Sequence, residues 1–265
     1  MIRYAAITPH PPIIIPSIGG SNLNLCRKTV TSMKNIGEKF RAVKPDSVVV
    51  ISPHGPVQFD KFIFNYSPTL RGDLSQFGDE RKFVFENNRE LIDEMIKKLK
   101  ESNFPVGLVR ELELDHGTLV PLYYLIKEKD LNYNPRLVHM SFSMLSLKDH
   151  YNFGQVMGKV LQGSSEVISV IASGDLSHRV TPDAPAGYSP EGRAFDKKIT
   201  ELVHRRNIKE ILKLDPEFIE EAGECGLRSI VMLLGVLSDL RYEIRSMSYE
   251  APFGVGYMTV SINIK

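Results

Sequence analysis

Four of the seven histidines in this 265-residue chain stand where short apolar segments end or begin. His10 follows MIRYAAIT, His54 follows DSVVVISP, His178 follows EVISVIASGDLS, and His116 precedes the apolar stretch LVPLYYLI. Imidazole is the commonest metal-binding side chain and titrates near neutral pH. Four histidines at matched positions therefore predict a metal site, an acid–base site, or both. The other three lie inside predicted strands or helices, where structural or solvent-facing roles are expected: His139, His150 and His204.

The first of these histidines stands in an unusually stiff loop. His10 lies between prolines in the stretch TPHPPIIIP. Proline fixes φ and has no backbone N–H, so this loop cannot bind a phosphate through its amides. An imidazole in so rigid a loop loses little conformational freedom when it binds a metal ion. We therefore expect His10 and His54, each at the end of a strand, to supply two metal-binding nitrogens.

A third ligand is predicted in the turn GECG, residues 223–226, which precedes an apolar helix. Two histidines and one carboxylate leave open positions on Fe(II) for a substrate and O2, so Glu224 is the expected ligand. Cys225 is the alternative, because a thiolate beside a helix N-terminus is also a good ligand. A purely structural role is open for Glu224 as well, since acidic residues at helix starts are favoured by the helix dipole.

Two short motifs predict acid–base chemistry. SGDLSH places Asp175 close to His178, and a neighbouring carboxylate tunes the pKa of a histidine for proton transfer. Asp115 precedes His116 in the same way, so His116 could orient a substrate hydroxyl. Asp175 could instead cap a turn. The residues alone thus predict a mononuclear metal site with one or two acid–base histidines, which fits zinc hydrolysis nearly as well as iron chemistry.

The composition excludes several classes of partner. The formal net charge is +1, with 33 basic and 32 acidic residues, so neither nucleic acid nor an anionic membrane is expected to bind. No apolar run approaches the ~20 residues of a membrane span. The N-terminus is typical of a strand rather than a signal peptide, and Cys26 and Cys225 form no paired motif. We expect a cytoplasmic protein without disulfides.

The elements that must position these residues alternate between strand and helix. Apolar runs ending near His10, Ser52 and His178 predict buried strands, and amphipathic stretches such as 23–43 and 85–102 predict helices. ELDHGTLVPLYYLIKE predicts a helix from about Thr118, and LRGDLSQFGDE predicts a polar loop. The loop 179–192, rich in proline and glycine, is expected to border the site. Residues 1–265 therefore predict one α/β domain around a mostly parallel sheet.

The motifs TPHPP, SPHGP, LDHG, SGDLSH, ECGLRS and APFGVGY together resemble the class III extradiol ring-cleavage dioxygenases, LigB-type catalytic subunits, over nearly the whole chain. PHPPIIIPSIGG and DAPAGYSPEGRAFD are similar to the bacterial branch grouped with the Memo proteins. The resemblance implies a single-domain α/β/α sandwich with non-haem Fe(II). It also implies a small catecholic substrate opened with O2, without nicotinamide or flavin.

The resemblance also implies roles for individual residues. The family's metal histidines fall on His10 and His54, and its metal carboxylate falls near Glu224, where Memo relatives carry a cysteine. Its acid–base histidine falls on His178, beside Asp175, and its substrate-contacting histidine falls on His116. A homo-oligomer is expected. Two alternatives stay open: a non-enzymatic metal-binding partner of a radical-enzyme pathway, and a zinc hydrolase on the same scaffold.

Overall fold

The computed structural model describes residues 1–126 and 133–265. Its strands, in chain order, are β1 (Ile2–Thr8), β2 (Ser47–Ser52), β3 (Phe62–Asn65), β4 (Thr69–Leu74), β5 (Asp79–Glu86), β6 (Val106–Val109), β7 (Arg136–Ser141), β8 (Ile168–Ser173), β9 (Tyr242–Glu250) and β10 (Tyr257–Ile264). Its α-helices are α1 (Pro16–Gly19), α2 (Arg27–Val43), α3 (Arg89–Glu101), α4 (His116–Leu125), α5 (Leu147–Gly163), α6 (Pro190–His204), α7 (Ile208–Ile211), α8 (Pro216–Ala222) and α9 (Leu227–Val236). Short 3₁₀ turns cover Pro12–Ile14, Gly20–Asn24 and Ser75–Phe77.

Eight of the described strands form one sheet, in the order β6-β3-β7-β2-β8-β1-β10-β9. The centre is parallel: β2 pairs with β7 and β8, and β8 pairs with β1. Strands that are buried on both faces read as continuous apolar runs, and β2, with the sequence SVVVIS, is buried at every residue. Antiparallel β10 and β9 extend the sheet beyond β1. The predicted mostly parallel α/β sheet is thereby confirmed.

Apolar clusters cover the two faces of this sheet. Along β2, Val49 and Ile51 belong to one cluster, while Val48 and Val50 belong to the other, because successive side chains of a strand point to opposite faces. The first cluster includes side chains of α3, α5, α6 and α9, and the second includes side chains of α2 and α4. Helices therefore lie on both sides of the sheet, as in the expected α/β/α sandwich.

One predicted segment has a different structure. Residues 70–80, expected to be a polar loop, form most of a β-hairpin in which β4 pairs with β5. Its inward residues Leu70 and Leu74 on β4, and Phe83 and Phe85 on β5, pack into the α2–α4 cluster. The charged residues between them mask this alternation in the sequence. The tip of this hairpin lies next to His116, where Phe77 contacts the imidazole ring.

The remaining predicted elements are close to those observed. The stretch 85–102 was predicted to be one helix, but its first two residues belong to β5 and α3 begins only at Arg89. The Asn88 side chain caps that helix by accepting a hydrogen bond from the Leu91 N–H. The helix expected from about Thr118 begins at His116, and its predicted end, residues 127–128, lies outside the described residues. Within residues 1–126 and 133–265, no helix is both long and apolar enough to span a bilayer.

Candidate metal centre

The four histidines singled out by the sequence converge at the carboxyl edge of the parallel strands. His10 and His54 each lie two residues beyond a strand, β1 and β2, and His116 is the first residue of α4. The ring centroid of His10 lies 4.9 Å from that of His54 and 5.5 Å from that of His116. The Nε2 of His178, in the loop after β8, lies 3.9 Å from the Asp175 Oδ2 and 3.7 Å from the Cys225 Sγ. Ligands bind at this edge of open α/β sheets, so a functional site is expected here.

His10 is the buried centre of the cluster, with only 2% of its surface exposed. Its Nδ1 lies 3.0 Å from the Ser173 Oγ, and its backbone N–H donates to the Asp175 Oδ1 at 3.0 Å. Its Nε2 is thereby directed at the His54 Nε2, 3.1 Å away. Burial, followed by the charges of the neighbouring histidines, lowers the pKa of His10 well below its ordinary value. The ring is therefore neutral, which is the form that binds a metal ion.

Cys225 is brought into the cluster by the contact of two glycines. A Cβ added to Gly174 would lie 2.1 Å from the Gly226 Cα, so the GECG turn lies directly against the segment after β8. The Asp175 carbonyl accepts hydrogen bonds from the N–H groups of Cys225 and Gly226, at 3.3 and 2.8 Å. The Cys225 Sγ consequently lies 3.8 Å from the His10 Nε2 and 3.7 Å from the His178 Nε2.

The structure does not bring Glu224, the predicted carboxylate ligand, to these histidines. Its Oε2 accepts a hydrogen bond from the Leu227 N–H at 2.5 Å, and its Oε1 lies 3.9 Å from the Arg228 Nη1. The carboxylate thus satisfies an N–H at the start of α9, where the helix dipole favours a negative charge. Burial raises the pKa of Glu224 to about 7. Glu224 occupies the structural position that the sequence left open for it, and its neighbour Cys225 faces the cluster.

Two groups of side chains among the described residues could hold a metal ion. One is His10 with His54 and His116, and the other is His10 with Asp175 and Cys225; within each group the ligand atoms lie within 4.8 Å of one another. His10 is common to both. Glu224 is in neither, so a carboxylate that serves the site would come from Asp175.

Asp175 lies between two histidines. Its Oδ2 is 3.9 Å from the His10 Nε2 and 3.9 Å from the His178 Nε2. Burial raises the pKa of Asp175 to about 7, and the hydrogen bond from the His10 N–H opposes that shift. His178 is more open, with 30% of its side chain exposed. This geometry is suited to a histidine that exchanges protons with a bound molecule while a buried carboxylate stands behind it.

Two polar side chains beside the cluster, Asp115 and His139, were not predicted to lie near each other. Asp115 Oδ1 lies 3.3 Å from the Thr118 N–H at the start of α4, while Asp115 Oδ2 has no hydrogen-bond partner among the described residues. Both ring nitrogens of His139, expected to be a structural residue of β7, likewise lack one within that part of the chain. A Cβ added to Gly55 would lie 3.9 Å from both Asp115 Oδ2 and His139 Cε1. In the sequence, the position of Asp115 directly before His116 was the one feature that indicated a place for Asp115 beside the cluster.

The loop 179–192, predicted to border the site, is attached to the backbone on both of its sides. The Ala186 N–H donates to the His178 carbonyl at 3.3 Å, and the Val180 N–H donates to the Gly254 carbonyl at 3.0 Å. The loop is therefore attached to the backbone of His178 and to the turn that precedes β10. Tyr188 within it is 59% exposed.

The sandwich and its edge site of histidines, carboxylate and thiol define an α/β protein with a candidate metal centre at the carboxyl ends of its parallel strands. The family model described as the catalytic LigB subunit of aromatic ring-opening dioxygenase matches residues 4–259. The chain belongs to this family, as its motifs predicted.

The chain is also similar to individual proteins. The chain is 30% identical over 261 residues to protein CA_C1420 of Clostridium acetobutylicum, covering 95% of this chain but only 55% of that protein. It is 26% identical over 260 residues to a 3,4-dihydroxyphenylacetate 2,3-dioxygenase of Escherichia coli, covering 90% and 91% of the two chains. The crystal structure of the uncharacterized protein JW3007 from Escherichia coli K12 has the same fold, with a TM-score of 0.67, 16% identity, and coverage of 98% and 99%.

Proposed function

We propose that this protein is a metal-dependent extradiol-type dioxygenase that opens the ring of a catechol-like substrate with O2. The observation that carries the proposal is the convergence of the His10 and His54 Nε2 atoms, the Cys225 Sγ and the His178 Nε2 at one edge of a LigB-family fold. The similarity to a dioxygenase of a dihydroxylated aromatic acid supports the substrate class. We retain the expectation of a cytoplasmic homo-oligomer.

The donor atoms fit a metal ion. His10 and His54 present ring nitrogens to each other at 3.1 Å, and burial is the first cause that lowers the pKa of each. Neutral imidazole is a suitable ligand for iron as well as for zinc, copper and nickel, and thiolate is a soft ligand for zinc and for iron in iron–sulfur clusters. We propose that the ion is Fe(II) and that three residues hold it: His10, which belongs to both groups, His54 from the first group and Cys225 from the second, in place of Glu224. When bound, Fe(II) would orient the substrate oxygens and O2 and allow electrons to pass between them.

The protein's own residues would handle protons and orientation. His178 Nε2 would accept a proton from a substrate hydroxyl, because its ring is neutral and partly open to solvent. Asp175 Oδ2, 3.9 Å away, would stabilise the imidazolium that results. His116, whose ring centroid lies 4.4 Å from that of His54, would hold a second polar group of the substrate. Proton transfer by a positioned side chain of this kind contributes about 10²–10⁴-fold to a rate.

One observation favours a second candidate. A thiol, rather than a carboxylate, faces His10 from the GECG turn, and cysteine with histidine is a common ligand set for zinc. A zinc hydrolase, or a metal-binding partner protein without activity of its own, is therefore the competing function for the same site.

Reconstitution with each metal tests the proposal. The protein is stripped of metal and loaded anaerobically with Fe(II) or Zn(II). It is then mixed with oxygenated buffer and a panel of catechols that includes 3,4-dihydroxyphenylacetate. We expect O2 uptake by the iron form alone, and a ring-opened product carrying two ¹⁸O atoms from ¹⁸O2. An iron-loaded protein that consumes no O2 with any catechol would contradict the proposal, and tighter binding of Zn(II) with ester hydrolysis would favour the alternative.

A further inference from the structure

An aromatic side chain from the β4–β5 hairpin lies against the candidate site. Phe77, at the hairpin tip, is half-buried, and its ring centroid lies 5.4 Å from that of His116 with an interplanar angle of 70°. His116 in turn lies next to His54, and both imidazoles are partly exposed. Phe77 therefore contacts the cluster at His116, one of its partly exposed members.

The hairpin tip is held to the segment after His10. Asp79, which follows the tip, is 7% exposed, and its Oδ2 accepts a hydrogen bond from the Ser17 hydroxyl. Its Oδ1 accepts a hydrogen bond from the Arg81 N–H at 2.9 Å, within the first residues of β5. Ser17 lies in α1, directly after the proline-rich loop that carries His10. The tip and the His10 loop are thus connected by a buried carboxylate.

The other strand of the hairpin is held to the segment before His116. The Leu114 N–H donates to the Arg71 carbonyl at 2.8 Å. A Cβ added to Gly72 would lie 2.4 Å from the Leu114 carbonyl oxygen, so β4 passes too close to this segment for a larger residue. Because both of its sides are attached to site-bearing segments, the hairpin holds Phe77 in a defined position rather than as a loose surface residue.

We propose that Phe77 is a specificity-determining residue whose ring forms the apolar wall of the substrate pocket and selects for a planar aromatic ring. This inference rests on the proposed function and adds the means by which the site distinguishes a catechol from an acyclic oxygen chelator. Aromatic rings attract each other at centroid separations of about 4.5–7 Å. A substrate ring seated against the partly exposed ring of His116 would lie within that reach of Phe77, whereas an acyclic chelator has no ring to present.

A single tryptophan makes the contact measurable. The chain contains no Trp, so Phe77→Trp creates a unique fluorophore. We expect saturable quenching of its emission when 4-nitrocatechol is added to the Fe(II)-loaded protein under anaerobic conditions. Val84→Trp is the matched control, because Val84 lies on β5 of the same hairpin and is 56% exposed. Equal quenching of the two variants, after correction for absorption by the ligand, would overturn the assignment.

Truncation separates specificity from structure. Phe77→Ala should weaken 4-nitrocatechol binding, measured by its absorbance shift, by about 3- to 10-fold, the range that corresponds to an aromatic pair. Phe77→Ala should leave the metal content and the binding of oxalate, an acyclic oxygen chelator, unchanged. The control Val84→Ala should alter the binding of neither 4-nitrocatechol nor oxalate. Equal weakening of both ligands, or no weakening of 4-nitrocatechol, would show that Phe77 only packs.

The outcomes for the wild-type protein distinguish this inference from the proposed function. Binding of 4-nitrocatechol with the expected Phe77 dependence, but without O2 uptake, would contradict the dioxygenase and leave Phe77 as the aromatic wall. If the protein opens the ring with O2 and Phe77→Ala changes neither KM nor kcat, the dioxygenase is supported and the role of Phe77 is contradicted. A loaded protein that binds oxalate but no catechol would overturn both.

Discussion

The Nε2 atoms of His10 and His54 lie 3.1 Å apart, although 44 positions separate the two residues in the chain. The opposite nitrogen of His10 is held by the Ser173 hydroxyl, so the ring cannot turn Nε2 away without losing that bond. Two neutral imidazoles placed in this way share at most one proton, and a metal ion is the ligand that would satisfy both lone pairs. This relationship connects the fold directly to the chemistry expected of it.

His10→Ala and His54→Ala should each abolish stoichiometric metal binding, because each removes one of the two convergent nitrogens. Metal content measured by mass spectrometry after anaerobic loading reports the loss. His204→Ala is the matched control, since His204 lies exposed at the end of α6. A His10 variant that still holds one equivalent of metal would show that the nitrogens serve another purpose.

Cys225→Ser should weaken metal binding, whereas Glu224→Ala should retain it. The reason is the orientation of the two side chains: the Cys225 Sγ faces His10, and the Glu224 carboxylate accepts from the Leu227 N–H. Glu224→Ala should instead lower the free energy of unfolding by about 0.5–2 kcal/mol, as expected for a lost helix cap. Metal titration and urea unfolding measure the two effects. The reverse pattern would return Glu224 to the ligand set.

His178→Phe should keep the metal and lose turnover by about 10²–10⁴-fold, the contribution of a proton-transfer group. Its ring nitrogen lies 3.7 Å from the Cys225 Sγ and 3.9 Å from Asp175 Oδ2, and it is a member of neither metal-binding group. Metal analysis and steady-state O2 uptake on the same preparation check both parts. Loss of metal in this variant would instead place His178 among the ligands.

Asp196→Asn should change how stability depends on pH. The Asp196 carboxylate is buried and accepts from the Ser177 N–H at 2.8 Å and from the Tyr249 hydroxyl at 2.6 Å. Burial raises the pKa of Asp196 to about 7, from an ordinary value of 3.8. At pH values between these two pKa values, Asp196 keeps its proton in the folded protein but has lost it in the unfolded chain. The contribution of Asp196 to the free energy of unfolding therefore falls as the pH rises from about 4 to about 7.

The variant removes that contribution, so its stability should fall less steeply over the same interval. Urea unfolding of the metal-free protein at a series of pH values measures the slopes. Asp239→Asn, at an exposed position, should leave the slope of the parent unchanged. Parallel profiles for the parent and Asp196→Asn would mean that Asp196 has an ordinary pKa in the folded protein.

Much of the architecture could be predicted because the relevant signals are local. The run SVVVIS has apolar, β-branched residues at its four central positions, which is typical of a central parallel strand, and it forms β2. Once the strands are parallel, their carboxyl ends must share one edge of the sheet, so residues that follow them meet whatever their separation in the chain. The convergence of His10 and His54 follows from that topology. The hairpin around Phe77 could not be predicted in this way, since charged residues interrupt its short alternation.

The sequence by itself therefore determined the α/β class, the edge that carries the site and the histidines that meet there. Only the tertiary structure decided which neighbour in the GECG turn faces them. Glu224 and Cys225 are adjacent, and adjacent side chains of a turn point in different directions, so the choice depends on how the turn is oriented. The contact of Gly174 with Gly226 and the hydrogen bond from the Leu227 N–H to the Glu224 carboxylate set that orientation. The first is a contact between residues far apart in the chain, and the second depends on where a helix begins in three dimensions. Neither can be read from a pattern of residue types.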